Sequence, residues 1–166
     1  MPRLAGRALT SLITATGLLL GSSAGSALAE NDDVTTLRVT TKNVEVTVVD
    51  LGPPGKSPGD LYVYAGDVHR NGKRVGRIHG SNTSIKVEGR RETVSGQLTI
   101  QLGNGNQIVA GGLSAYPSDD NSGFIVGEPF TRAVLGGTGR YAGARGTLTT
   151  TRQPNGSYKQ VFRLLD

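Results

Sequence analysis

The sequence predicts an all-β fold, an eight-stranded antiparallel β-barrel, and three observations carry that prediction. Apolar and polar residues alternate with a period of two, as in Val44, Val46 and Val48 around Glu45 and Thr47. That spacing turns one face of an extended chain inward and the other outward. Three Asn-Gly pairs, Asn71-Gly72, Asn104-Gly105 and Asn155-Gly156, stand between such segments. Asn and Gly tolerate the positive φ angles of a type I′ turn, so each pair predicts a tight hairpin. Beyond residue 29 no stretch of about 12 residues has a helical apolar period, and Gly and Thr, both poor helix formers, are frequent.

The elements follow in order. Residues 1–29 have the three parts of a secretory signal peptide: Arg3 and Arg7, an apolar run from Ala8 to Leu20, and the small-residue end Ala27-Leu28-Ala29. Cleavage is expected after Ala29, giving a secreted chain of residues 30–166 that forms a single barrel domain. The apolar run is too short for a comfortable membrane span. Losing Arg3 and Arg7, and no acid, lowers the formal net charge from +5 to +3, so the high pI argues little for nucleic acid. Arginine outnumbers lysine by 13 to 5, which points by codon usage to a GC-rich bacterial source.

Strands are expected at 36–50, 61–69, 74–88, 92–102, 106–116, 130–136, 146–152 and 157–165. In the fourth, Val94, Leu98, Ile100 and Leu102 alternate with Ser95, Gln97, Thr99 and Gln101; in the last, Tyr158, Gln160, Phe162 and Leu164 share a face. Short turns between successive strands describe a meander. Closing it removes the exposed edges that invite aggregation, and a β-sandwich is the competing arrangement. Two segments must be loops: Leu51 to Gly59, with three Pro and three Gly, and Pro117 to Gly127. Long loops among tight turns are the natural rim of a pocket.

Composition removes several function classes. With no Cys, there are no disulfides, Cys-ligated zinc, iron–sulfur clusters or thiol nucleophile. Two His and no H-E-x-x-H argue against a His-rich metal site. Arg70, Lys73, Arg74 and Arg77 form a basic cluster at the first hairpin. It has no interleaved aromatics of a nucleic-acid platform and is expected to be solvated charge, with no nucleic-acid partner.

The glycine-rich stretch from Leu135 to Gly146 lacks the context of a nucleotide loop. Thr147 to Thr151 after it are β-forming, no acid follows Glu128 before Asp166, and no Lys-Ser or Lys-Thr closes it. Gly136 to Gly146 instead resembles the G-G-T-G-x-F/Y-x-x-A-x-G block shared by dirigent proteins and the allene oxide cyclase barrel superfamily. Val75-Gly76-Arg77-Ile78-His79-Gly80 resembles their V-G-R-A-Q-G and V-G-I-T-A-G blocks, and Gly59-Asp60-Leu61 the G-D-L opening their second strand. The blocks fall in the family's order over residues 36–165. The resemblance implies an eight-stranded barrel, often a homotrimer, with a small-molecule pocket at one mouth.

Matched residue by residue, the cyclase Glu falls at Val48, its Asn at Gly66 and its Cys at Asn82; a loop proline is kept as Pro53 or Pro54. Allene oxide cyclase activity itself is therefore not expected. Dirigent proteins guide phenoxy radicals or quinone methides produced by a separate oxidase. Their first-strand Asp matches Asp50; their pocket Tyr falls at Asn82, an Asp at Tyr116, and an Arg near Arg132 on the same strand face.

From the residues themselves, Asp50 shares a face with Val44, Val46 and Val48 and is either an acid at the mouth of an apolar tube or a strand-end cap of the LGPPG turn. Tyr62 and Tyr64 share a face and either stack on an aromatic ligand or pack outside. His79 is a candidate base or a packed or exposed strand residue. Arg132 and Arg145 are candidates to bind a carboxylate or an oxyanion, with Arg145 expected rather to serve its loop or solvent.

The expected function is an exported barrel that binds a hydrophobic or phenolic small molecule and directs its coupling or cyclisation, with Asp50 and Arg132 moving protons and no cofactor required. Tyr62, Tyr64, His79, Asn82 and Tyr116 are the expected ligand-binding residues. The alternatives are a non-catalytic carrier of a hydrophobic ligand and a structural envelope protein.

Overall fold

A computed structural model of the chain describes residues 34–117 and 124–165. The expected signal peptide, residues 1–29, lies outside them. Eight strands form one closed antiparallel barrel: β1 (Val34–Val49), β2 (Leu61–Arg70), β3 (Lys73–Glu88), β4 (Arg91–Leu102), β5 (Asn106–Pro117), β6 (Pro129–Thr138), β7 (Arg145–Arg152) and β8 (Tyr158–Leu165). Each strand pairs with the next, and β8 returns to β1 from Val34↔Leu165 to Thr41↔Tyr158. Among the described residues, the one helical element is a 3₁₀ turn at Gly139–Tyr141.

Asn71-Gly72 and Asn104-Gly105 make the expected hairpins, with all four residues at positive φ. The third pair does not. Pro154, with φ fixed near −65°, sets a turn in which the Gly156 N–H donates to the Gln153 carbonyl at 3.0 Å, and only Gly156 takes a positive φ of 77°. The link to β8 is therefore wider than a two-residue turn. β6 runs two residues past its expected end, because Gly136 and Gly137 remain laddered to Val109 and Ile108.

Parity decides what enters the lumen, and β1 changes parity midway. Leu37, Val39 and Thr41 face in and are buried. A bulge between Lys42 and Glu45, with Asn43 at φ 51°, then moves the inward set to Val44 and Val46. One half of the lumen is a packed apolar core in which Val68, Ile100, Ile108, Leu148 and Phe162 are completely buried. Burying each such side chain contributes about 1.5–3 kcal/mol. A polar belt caps this core: Thr150 Oγ1 donates to Gln160 Oε1 at 2.6 Å, and Gln160 Nε2 to Thr41 Oγ1 at 3.2 Å.

The glycine-rich stretch lies at the closed end. It ends β6 and forms the 3₁₀ turn, and Tyr141 and Ala144 pack on the core. The basic cluster of the β2–β3 hairpin is at this end too, with Arg74 Nε 2.8 Å from Asp67 Oδ1. The β1–β2 and β5–β6 loops and the β7–β8 turn are at the other end, where the lumen stays open.

Candidate functional site at the barrel mouth

Above the polar belt lies a cavity of about 70 Å³. That is room for several waters at about 10–15 Å³ each. Aliphatic side chains such as Val94 and Leu98 line part of its wall, and an aromatic cluster lines another. Phe124 stacks between Tyr116, Phe130 and Tyr158 at ring separations of 5.0, 4.6 and 5.2 Å. The β5–β6 ladder stops at Gly111↔Ala133, so these two strands part toward the mouth. Phe124, from the loop between them, stands in the lining there.

Two polar groups face this cavity. The first centres on Arg132 of β6, which is 3% exposed. Its Nη2 donates to Asn82 Oδ1 on β3 at 3.1 Å and to the Tyr116 hydroxyl on β5 at 3.0 Å. Its guanidinium stands 4.9 Å from the Phe130 ring centre. The second centres on Glu92 of β4, which is 2% exposed. Tyr62 of β2 donates its hydroxyl to Glu92 Oε1 at 3.1 Å, and Lys56 Nζ, from the β1–β2 loop, lies 3.1 Å from Oε2.

Glycines make the space for the Arg132 group and for Tyr64 beside it. A Cβ at Gly96 would collide with Asn82 Oδ1 and Arg132 Nη2, and one at Gly80 with the Tyr64 ring. The glycine ending the V-G-R-I-H-G block thus allows a tyrosine to lie across the lumen.

Burial pushes the hydroxyls of Tyr62, Tyr64 and Tyr116 above the ordinary phenol range; the Glu92 charge adds to this for Tyr62, while Arg132 opposes it for the other two. All three are therefore neutral donors near pH 7.

Of the residues singled out from sequence, Tyr62, Tyr64, Asn82, Tyr116 and Arg132 line the cavity. Asp50 and His79 do not. Val48 is 56% exposed, so the inward face of β1 runs out past the rim before Asp50. Asp50 is exposed and accepts the Gly55 N–H at 3.4 Å, which is the strand-end cap. It still lies close enough to add slightly to the raised pKa of Tyr62. His79 is exposed on the outside of β3, one residue out of phase with buried Ile78. Arg145 begins β7 at the closed end. The pocket's acid is Glu92, two residues before Val94 on the inward parity of β4, a position the alternation implies but the expected site did not include. Tyr158 and Gln160 share the Phe162 face of β8 and enter the lining by the same rule. Lys56 carries no periodic signal, because it sits in a loop. Among the described residues, no cluster of three or more His, Asp or Glu is placed to hold a metal, and no helix is long and apolar enough to cross a membrane.

A buried carboxylate holds the loop that delivers Lys56. Asp60, 2% exposed, accepts the N–H groups of Leu51 at 3.1 Å and Ser57 at 2.7 Å, and the Ser57 hydroxyl at 3.1 Å. These bonds to the charged form hold its pKa below the ordinary 3.8. A depressed folded pKa stabilises the loop above the unfolded value, and the effect is lost as pH falls through the folded value. Asp60→Asn is therefore expected to remove this acid-labile stability and to speed amide hydrogen exchange at Leu51 and Ser57 at neutral pH. Unchanged exchange at both would show that Asp60 does not hold the loop.

Comparison with known proteins places the fold. Residues 34–164 match the allene oxide cyclase barrel like domain family. A solved structure of a pyocyanin demethylase is 30% identical, with a TM-score of 0.66 over 78% of this chain and 99% of that one. A Diels-Alderase from Streptomyces koyangensis is 17% identical, with a TM-score of 0.61 over 80% of this chain and 64% of that one. A pterocarpan synthase dirigent protein is 19% identical, with a TM-score of 0.54 over 80% and 94%. The last two likenesses speak to the fold alone. No curated protein matches the sequence.

Proposed function

This chain belongs to the allene oxide cyclase barrel-like family, and we propose that its mouth pocket binds a planar aromatic or phenolic small molecule and directs its cyclisation or coupling. One observation carries the reading: two buried polar groups, Glu92–Tyr62 and Arg132–Asn82–Tyr116, meet in a single aromatic-walled cavity. The likeness to a protein that acts on pyocyanin, a planar aromatic, supports the same ligand class.

The chemistry follows from donor directions. Tyr62 donates its hydroxyl hydrogen bond to Glu92, so its oxygen can accept a hydrogen bond from a ligand. A ligand proton passes to Tyr62 as the Tyr62 proton passes to Glu92, and Lys56 balances the carboxylate before transfer. Charge left on the ligand spreads through its conjugated ring toward an oxygen held by Arg132 and Tyr116. The aromatic walls hold the ring in one orientation, which confines the outcome to one geometry. Confinement and proton movement need no cofactor. Export belongs to the same proposal, on the tripartite pattern of residues 1–29.

In a test, planar phenols with a one-electron oxidant or a quinone methide precursor would be converted in the presence of the protein, and the products' enantiomeric excess and rate followed. An excess is expected, and Glu92→Gln is expected to slow the guided reaction about 100-fold. Binding with racemic, unaccelerated product would favour the carrier reading, and no binding would remove the pocket's function altogether. For export, N-terminal sequencing of protein recovered from the medium of a bacterial host is expected to begin at Glu30; a chain that stays in the cells and keeps residues 1–29 would contradict it.

A further inference from the structure

We infer that this pocket takes its aromatic ligands as oxyanions, with the ionised oxygen against Arg132. The inference rests on the pocket reading above and narrows it: the oxygen held by Arg132 and Tyr116 is ionised on entry, and the proton that passes to Tyr62 and Glu92 comes from another site of the ligand. Arg132 is almost wholly buried, yet both hydrogen bonds from its Nη2 end on neutral oxygens, Asn82 Oδ1 and the Tyr116 hydroxyl. Its Nε is buried with no acceptor. Arg132 is in none of the ion pairs Lys56–Glu92, Arg74–Asp67 and Lys86–Glu88 seen among the described residues. A buried cation is costly unless an anion balances it.

Among the described residues, the groups lining the cavity do not supply that anion. Glu92 is already matched by Lys56 at 3.1 Å. Tyr62, Tyr64 and Tyr116 are held neutral by burial. Among the described residues, the lining therefore offers Arg132 no anion of its own. An aromatic ligand bearing one ionised oxygen neutralises it and lays its ring among Tyr116, Phe124, Phe130 and Tyr158. The guanidinium fork and the Tyr116 hydroxyl both suit an oxygen acceptor, in a phenolate or a carboxylate.

Three matched probes test this on the mature protein: 4-nitrophenol, 4-nitrobenzoate and the neutral 4-nitroanisole. Absorbance titration of bound 4-nitrophenol is expected to show its pKa lowered by about one unit or more, a tenfold or greater preference for the ionised form. Nitroanisole is expected to bind at least tenfold more weakly than the phenolate. Tighter binding of nitrobenzoate than of nitrophenolate would identify carboxylates as the better source of the oxyanion. Arg132→Gln is expected to abolish the pKa lowering while nitroanisole still binds; the wild-type comparison stands alone if that variant does not fold. Nitroanisole binding as tightly as nitrophenolate, with no pKa lowering, would overturn the inference and leave the aromatic pocket standing. If none of the three binds, both the inference and the pocket reading fall.

Discussion

In a lumen this narrow, a large side chain from one wall needs empty space on the facing wall. An eight-stranded barrel leaves an interior just wide enough for its own side chains or for one small ligand. This chain does both, at opposite ends. The closed half is filled by Val68, Ile100, Ile108, Leu148 and Phe162. In the open half, glycines replace bulk where polar groups must cross: Gly80 beneath Tyr64, and Gly96 beneath the Asn82–Arg132 contact. Tyr64, Asn82 and Arg132 can take their places in the lining because these two positions carry no Cβ, and the hydrogen-bonded belt of Thr41, Thr150 and Gln160 separates the cavity from the apolar core.

The same narrowness sharpens the electrostatics. Arg132 and Glu92 are both almost fully buried, where an unmatched charge is expensive. They are treated unequally. Glu92 has a cation from the rim and a phenol as donor, whereas Arg132 has neutral acceptors and an aromatic face. The asymmetry gives the cavity a basic side and a proton-accepting side, which suits guiding reactions of conjugated aromatic molecules. The long β1–β2 loop is part of the site because it carries Lys56, and the Asp60 carboxylate fixes its path.

Most of the fold was legible because strand parity is a strong signal: wherever apolar residues alternate, the inward set is determined. Tyr62, Tyr64, Asn82, Tyr116 and Arg132 all enter the cavity on that parity. It also held Glu92, two residues from Val94, and this was missed because a charged residue at a strand end reads as solvated. Asp50 shows the converse. It continues the alternation of Val44, Val46 and Val48, but β1 ends at Val49 and Asp50 lies exposed beyond it, and where a strand passes the rim leaves no mark in an alternation pattern. The bulge at Asn43 reverses parity within β1, and only the contrast between odd Leu37 and Val39 and even Val44 and Val46 hints at it. At Asn155-Gly156, a preceding proline outweighed the Asn-Gly preference. The partners of Lys56 and Phe124 depend on loop paths, which periodicity does not encode.

The most direct measurement is nuclear magnetic resonance of the arginine Nε–H groups in ¹⁵N-labelled protein during titration with a planar phenolate. Arg132 Nε has no acceptor among the described residues, and its resonance should move on binding while those of exposed Arg38 and Arg163 stay fixed. Saturable movement of Arg132 alone is the predicted result. A titration in which Arg132 is unmoved while outer-surface arginines shift would place binding on the outside of the barrel and contradict the account of the mouth as the functional site.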